Sequence, residues 1–294
     1  MLPAHSTTIS HQLAQIARKI VRQAPPIASE IILEGSVARG LADQFSDIEL
    51  QFFSEYVPST AEIITLMKVM GFRGEPLIRL NESNHKLIDN EYDHVRIELG
   101  WRSFAYETQQ LDGIMDRIGG SQFINEAYKW PDAIPLRDGQ HIMQWKALFS
   151  HYPDTIRNRY IQPVLEDWRA ALNDPIDTLG RWKDAYRHAW FYLLKTHWID
   201  VLPLLRIIFA YNRVWEPVAK WWHAVEPKLI YKPENFVERV NDVLNNPDPV
   251  ARVDQFSRLQ IETLQIIKDE FEVHDLIEGY KAVREYGLKM SIKR

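Results

Sequence analysis

Leu33-Glu34-Gly35-Ser36-Val37-Ala38-Arg39-Gly40 and, shortly after, Ser46-Asp47-Ile48-Glu49-Leu50-Gln51-Phe52 are the residues whose reading decides the fold. Just ahead of the glycine, Glu30-Ile31-Ile32-Leu33 is a short apolar run that breaks at Gly35, as expected of a buried strand entering a turn. The second segment alternates apolar and polar residues, the pattern of a strand with Ile48, Leu50 and Phe52 on one face. Side chains two apart on a strand share a face, so Asp47 and Glu49 are expected to point the same way, roughly 6.5–7 Å apart along the chain. Two carboxylates on a rigid strand suit Mg²⁺, which takes hard oxygen ligands and is usually held by one or two carboxylates plus substrate phosphates. Gly35 and Ser36 mark a sharp bend where backbone N–H groups can approach a phosphate unobstructed, and a helix starting near Ser36 would add its positive end. The competing reading makes Asp47 and Glu49 the solvated face of an edge strand and Gly35 an ordinary turn residue.

Outward from this stretch, Leu13, Ile16, Ala17, Ile20 and Val21 recur at helical spacing and predict a first helix, stopped by Pro25-Pro26. Ser59 with Glu62 makes a capping-box pattern ahead of Ile63, Ile64, Met67 and Met70, and Gly71 sits where a helix ends. Val95, Ile97 and Leu99 alternate with His94, Arg96 and Glu98 and predict a further strand, while residues 77–90 can supply another. From about residue 103 the strand pattern gives way to aromatic-rich helical periodicity, interrupted by Pro131, Pro135, Pro153 and Pro175. There Ala185, Ala189, Tyr192 and Leu193 share one expected stripe, and Leu202, Leu205, Ile208 and Phe209 another. The expected architecture is α+β: a small mixed sheet domain with flanking helices over residues 1–135, then an all-helical C-terminal domain over 136–294.

With 46% hydrophobic and 26% charged residues, the 294-residue chain has ordinary globular composition and is long enough for two cores. A net charge of -5 offers no basic field to a polyanion, which argues against a nucleic-acid partner and favours a cationic or neutral one. The absence of cysteine excludes disulfides and thiolate metal sites. The first residues, MLPAHSTTISHQLAQ, lack a basic segment followed by an apolar run and do not read as a secretory signal. The most apolar stretch, 201–211, contains Arg206 and falls short of the about 20 residues that span a bilayer. The expectation is a soluble, cytoplasmic protein with no membrane partner.

Gly35-Ser36, a spacer, and Asp47-Ile48-Glu49-Leu50, with Asp47 twelve residues after Gly35, resemble the signature of the DNA polymerase beta-type nucleotidyltransferase superfamily. The fuller string is similar to the minimal branch that includes aminoglycoside adenylyltransferases and lincosamide nucleotidyltransferases, which also pair a small mixed sheet domain with a helical one. The resemblance implies an enzyme that uses Mg²⁺ and ATP or another nucleoside triphosphate to place a nucleoside monophosphate on a hydroxyl of a small acceptor such as an antibiotic. Protein or tRNA nucleotidylation, or a non-catalytic nucleotide-binding regulatory module, are the alternatives. In this family Asp47 and Glu49 would hold the metal, and Gly35 and Ser36 the phosphates. Glu49 departs from the more frequent aspartate, which moves the metal by about a methylene.

The superfamily generally uses a third acidic residue on a later strand. Glu98 is the candidate, as metal ligand or as general base for the acceptor hydroxyl, with Asp93 as competitor and a plain salt bridge to Arg96 or Arg102 as the alternative. Residues 204–222, with Arg206, Asn212, Lys220 and Trp221, are similar to a segment in which a lysine contacts nucleotide phosphates; Lys220 is that candidate, against a merely exposed helix lysine. Arg39 is a further candidate phosphate contact, against a surface salt bridge. His188 and His197, nine apart on one expected helix, lack the i, i+4 spacing of a metal pair and read as packing or surface residues. Trp190, Tyr192, Trp198, Trp215, Trp221 and Trp222 are read mainly as core, with one or two rings able to line an acceptor or adenine pocket.

Overall fold

A computed structural model describes residues 1–116, 121–174 and 179–292, with the side chains of 121–126, 195–199 and 291–292 outside the description. The chain divides into two compact units, Met1–His151 and Tyr152–Arg294. The first is α+β. In order it runs α1 (Thr8–Gln23), β1 (Glu30–Glu34), α2 (Gly35–Ala38), β2 (Ile48–Ser54), α3 (Thr60–Val69), β3 (Arg73–Asn81), β4 (His85–Tyr92), β5 (Val95–Ser103), α4 (Phe104–Asp116), α5 (Ser121–Asp132), β6 (Ile134–Arg137) and α6 (Gln140–Phe149).

The six strands form one mixed sheet in the order β3-β4-β5-β2-β1-β6, antiparallel throughout except for the parallel pair β2 and β5. One face is the core expected from the alternation. Ile31, Leu33, Ile48, Leu50, Phe52, Ile97, Leu99 and Trp101 bury against Leu13, Ala17, Ile20 and Val21 of α1 and Ile63 and Met67 of α3. Because strand side chains alternate, this burial fixes which residues occupy the opposite face. There Phe53 lies against Trp130 of α5 and Trp145 of α6, with ring centroids 6.2 and 5.1 Å away. Glu30 accepts from the backbone N–H groups of His141 and Ile142 at the start of α6. That leaves the Glu34 end of β1 and the neighbouring ends of β2, β4 and β5 to carry polar side chains.

Local signals account for the element boundaries. Ser59 and Glu62 form the expected capping box on α3, and Gly71 follows its C-cap with φ +92°. Residues 77–90 supply two strands rather than one, parts of β3 and β4. Asp93 and His94, both at positive φ, make the two-residue turn into β5, a geometry that matches strand twist. The edge strand β3 carries Pro76 and two register irregularities, and β6 is short and contains Pro135; both devices discourage pairing with another chain.

Two expectations about this half need correction. Strand β6 falls beyond residue 103, where only helix is expected, and a boundary at 135 would cut it in two. Ile134, Pro135 and Arg137 pair with Leu33, Ile32 and Ile31, so the first unit extends to His151. Four residues including a proline carry no alternation, and the pairing is made by tertiary contact alone. Arg137 then holds the C-terminal end of α1 by donating to the carbonyls of Val21, Ala24, Pro25 and Ala28.

The second unit contains only helices among its described residues: α7 (Asp154–Asn173), α8 (Gly180–Tyr186), α9 (Trp190–Tyr211), α10 (Trp222–Val225), α11 (Phe236–Asn245), α12 (Pro249–Ile267) and α13 (His274–Ile292), with short 3₁₀ turns. Helix α12 is buried nearly all round, by Val253, Phe256, Leu259, Leu264 and Ile267 among others, as befits a central helix. Leu205, Ile208 and Phe209 are buried as their stripe predicts. The other stripe is interrupted: His188, at φ +54°, breaks the chain between α8 and α9, so Ala185 and Leu193 are buried on separate helices while Tyr192 is exposed. Pro175 lies outside the described residues, as do the side chains of His197 and Trp198. No helix among the described residues is long and apolar enough to cross a membrane.

The parallel β2–β5 pair is pinned by a buried hydrogen bond in which the Trp101 indole donates to Ser54 Oγ (2.7 Å). Ser54→Ala leaves that buried N–H unpaired and is expected to cost about 1–3 kcal/mol of unfolding free energy. Chemical denaturation checks this; an unchanged midpoint would show that the bond does not hold the strands.

Candidate functional site

The site begins where β1 ends. Gly35 takes φ +73°, a left-handed conformation open chiefly to glycine. A second constraint acts there, because a Cβ on Gly35 would overlap the Glu49 carboxylate, which lies against the Gly35 backbone. Helix α2 is a single turn, too short to build up an appreciable summed dipole. Ser36 is buried within it. The chain leaves through Gly40 at φ +75°, and the following loop is tied to α1: Thr7 Oγ1 donates to the Ala42 carbonyl (2.7 Å) and the Ala42 N–H donates to Ser10 Oγ (3.0 Å).

Strand register then assembles a row of carboxylates. Glu34 of β1 stands beside Glu49 of β2, Glu49 beside Glu98 of β5, and Glu98 beside Asp89 of β4. All four lie on the face away from the apolar core. Asp47 stands immediately ahead of β2 rather than within it, with Oδ2 3.9 Å from Arg96 Nε. Like charges directly opposite one another on a sheet repel, and their burial compounds the cost. The Glu49 carboxyl is pushed up to about 7 by burial first, then by Glu34, Glu98 and Asp47, against a weaker opposing pull from Arg39. Glu98 is raised as well, by burial, Asp89, Glu34 and Asp47, with Arg79 opposing.

Cations serve the two ends of this row and not its middle. Asp89 Oδ2 accepts from Arg79 (3.1 Å) and Arg96 (2.6 Å). Glu34 Oε1 accepts from Gln51 Nε2 (2.9 Å), and Glu34 Oε2 stands 3.8 Å from Lys129 Nζ. Gln51 reaches across because Gly100 beside it has no Cβ to obstruct it. Among the described residues Glu49 and Glu98 form no ion pair, so the salt bridge from Glu98 to Arg96 or Arg102 is not made: Arg96 serves Asp89 and Asp47, and Arg102 serves Glu107.

Of the residues singled out from the sequence, the structure brings together Gly35, Ser36, Asp47, Glu49 and Glu98. Asp93 is not among them; it sits exposed in the β4–β5 turn, paired with Lys19 at 2.8 Å. Arg39 is engaged with the protein, its guanidinium 4.5 Å from the Tyr128 ring centroid and its Nε 3.6 Å from Asp132. Lys220 belongs to the second unit, exposed in the 3₁₀ turn Ala219–Trp221 with Nζ 5.5 Å from the Trp221 ring centroid. His188 is an exposed turn residue rather than a helical one. Of the aromatic set read as core, Trp215 is buried, Trp221 and Trp222 are half-buried, and Trp190 and Tyr192 are exposed.

Sequence reasoning does not single out Glu34, Gln51, Asp89 or Lys129 as site residues. A signal existed for the first two, since Glu34 alternates with Leu33 and Gln51 continues the Asp47, Glu49 face. None exists for Asp89 or Lys129, which meet the row only through strand pairing and helix packing.

No three His, Asp or Glu side chains among the described residues form a ready-made cation cage. The donor set does fit a hard divalent cation that brings other oxygen ligands with it, because Asp47, Glu49 and Glu98 gather carboxylates in one place and, among the described residues, Glu49 and Glu98 form no ion pair. No family model matches the chain, and no curated protein gives a significant sequence match.

Two measurements test this geometry. Gly35→Ala is expected to cost about 1–3 kcal/mol through backbone strain alone. The overlap with Glu49 adds to it, so a Gly35→Ala, Glu49→Ala cycle should show a favourable coupling; strict additivity would mean that the two do not touch. For the second, the folded-state pKa of Glu49 lies above its unfolded value of 4.5, so its contribution to stability is full below that value and is lost as pH rises through about 7. In chelator, Glu49→Gln should gain on the parent between pH 5 and pH 8 by of order 2 kcal/mol in unfolding free energy. A difference that does not vary with pH would remove Glu49 from the crowded row.

Proposed function

We propose that this chain is a Mg²⁺-dependent nucleotidyltransferase that moves a nucleoside monophosphate, AMP from ATP in the first instance, onto a hydroxyl of a small acceptor. The observation that carries the reading is the cluster of Asp47, Glu49 and Glu98 at one end of a sheet, in which Glu49 lies against the Gly35 turn and, among the described residues, Glu49 and Glu98 form no ion pair. Few purely structural roles explain why like charges should be crowded on rigid neighbouring strands beside a glycine bend.

In this reading the amides of the turn hold phosphate oxygens. Mg²⁺, when bound by Asp47 and Glu49, would neutralise charge on the triphosphate and on the transferring group. The acceptor oxygen forms a bond to the α-phosphorus as the bond from that phosphorus to the bridging oxygen breaks, and pyrophosphate leaves with the electron pair. The acceptor proton passes to Glu98. Its proton affinity, raised by burial and by Asp89, Glu34 and Asp47, makes it a stronger base than an ordinary carboxylate. The net charge of -5 supports a cationic small molecule as acceptor over a polyanion. Arg39 is already engaged by Asp132 and Tyr128, which weighs against it as a phosphate contact, and Lys220 enters this reading through the resemblance alone.

Incubation with α-labelled ATP, Mg²⁺ and a panel of aminoglycosides and lincosamides should give a labelled acceptor together with pyrophosphate. Label transferred to protein or tRNA instead would redirect the acceptor while keeping the chemistry. Asp47→Ala should keep the fold and lose about 10²–10³-fold or more of the rate. Undiminished transfer in that variant, or nucleotide binding indifferent to Mg²⁺ with no pyrophosphate from the parent, would reject the proposal.

A further inference from the structure

One cation in the site is supplied by the protein itself. Lys129 Nζ lies 3.4 Å from Glu107 Oε1 and 3.8 Å from Glu34 Oε2, in the same ionic neighbourhood as the carboxylate row. Both oxygens are buried and accept no hydrogen bond among the described residues. Glu107 is wholly buried, and its other oxygen accepts from Arg102 Nη1 (2.6 Å), whose Nε donates to His85 Nε2 (3.1 Å). The ammonium is itself buried and delivered from α5, the helix whose C-terminal carbonyls are held by Lys146. Two buried carboxylates converging on one positive charge have the charge arrangement of a cation site, and burial makes that charge obligatory.

The far end of the row is closed by Arg79 and Arg96 on Asp89. Cations therefore bracket the row at both ends, and among the described residues its middle members, Glu49 and Glu98, form no ion pair, while Asp47 beside them has only the 3.9 Å approach of Arg96. We propose that Lys129 is a resident cation standing where a second divalent ion would otherwise lie, between Glu34 and Glu107, and that it confines the row to one divalent cation at Asp47 and Glu49. This rests on reading the row as a divalent-cation site. It leaves Glu98 free of a metal and available as a base.

Mn²⁺ alone, titrated into the full chain by calorimetry and followed by electron paramagnetic resonance, tests the assignment. The parent should bind one equivalent, weakened at least about tenfold by Glu49→Gln, a factor of about 1.4 kcal/mol. Lys129→Gln should bind two equivalents, melt lower than the parent in chelator, and recover with Mn²⁺ by a larger shift than the parent shows. Should Lys129→Gln fail to fold in chelator, folding on addition of Mn²⁺ is the same expected result. Lys129→Arg, which keeps the charge, should bind one. The assignment is overturned if the parent binds two, or if Lys129→Gln binds one and its melting responds to Mn²⁺ no more than the parent's. A parent that binds no Mn²⁺ removes the metal reading of the row and the Lys129 assignment with it.

Discussion

Repulsion among carboxylates that cannot move apart is the interaction on which the rest of this site depends. Glu34, Glu49, Glu98 and Asp89 occupy consecutive strands at matching register positions. On a mobile loop such groups would turn away into water. Here Leu33, Leu50, Leu99 and Ile88 are buried on the other face of the same strands, so sliding any strand to separate the charges would expose its apolar set. Core burial therefore holds a charge arrangement that the charges alone would disperse, and burial first, then repulsion from Glu34, Glu98 and Asp47, pushes Glu49 up to about 7.

Gly35 is the second fixed point. Its left-handed backbone turns the chain out of β1, and its missing Cβ makes room for the Glu49 carboxylate. Gly100 has a comparable role on β5, giving Gln51 the space to reach Glu34. Both glycines serve the polar face, and in each case the constraint is a neighbouring side chain as much as the backbone.

Compensation of charge is uneven across the row in a way that bears on chemistry. Asp89 and Glu34 are served by fixed cations or donors, and Glu107 is enclosed by Arg102 and Lys129. Glu49 and Glu98, which form no ion pair among the described residues, with Asp47 beside them, are left as the place where added positive charge would be most strongly attracted. A buried ion pair is weak evidence for stability, so this costly group of charges is consistent with the ligand-binding role proposed above.

The α+β class, the strands around Asp47–Phe52 and Val95–Leu99, the capped helix α3 and the sheet face of Glu49 and Glu98 were legible in the sequence, because each rests on local periodicity or on capping chemistry confined to a few residues. Strand β6, the hairpin of β3 and β4, the break at His188 and the extension of the first unit to His151 were not, since short or irregular segments acquire their form from partners distant in the chain. The face of Glu49 could be read from alternation along one strand, whereas Asp47, expected on the same strand, stands just ahead of it. The extension of the row to Glu34 and Asp89, the exclusion of Asp93, the engagement of Arg39 by Asp132 and the arrival of Lys129 were decided by tertiary structure alone. Alternation specifies the face a side chain takes on its own strand, whereas which charges become neighbours depends on strand order, register and helix packing, all of them long-range contacts.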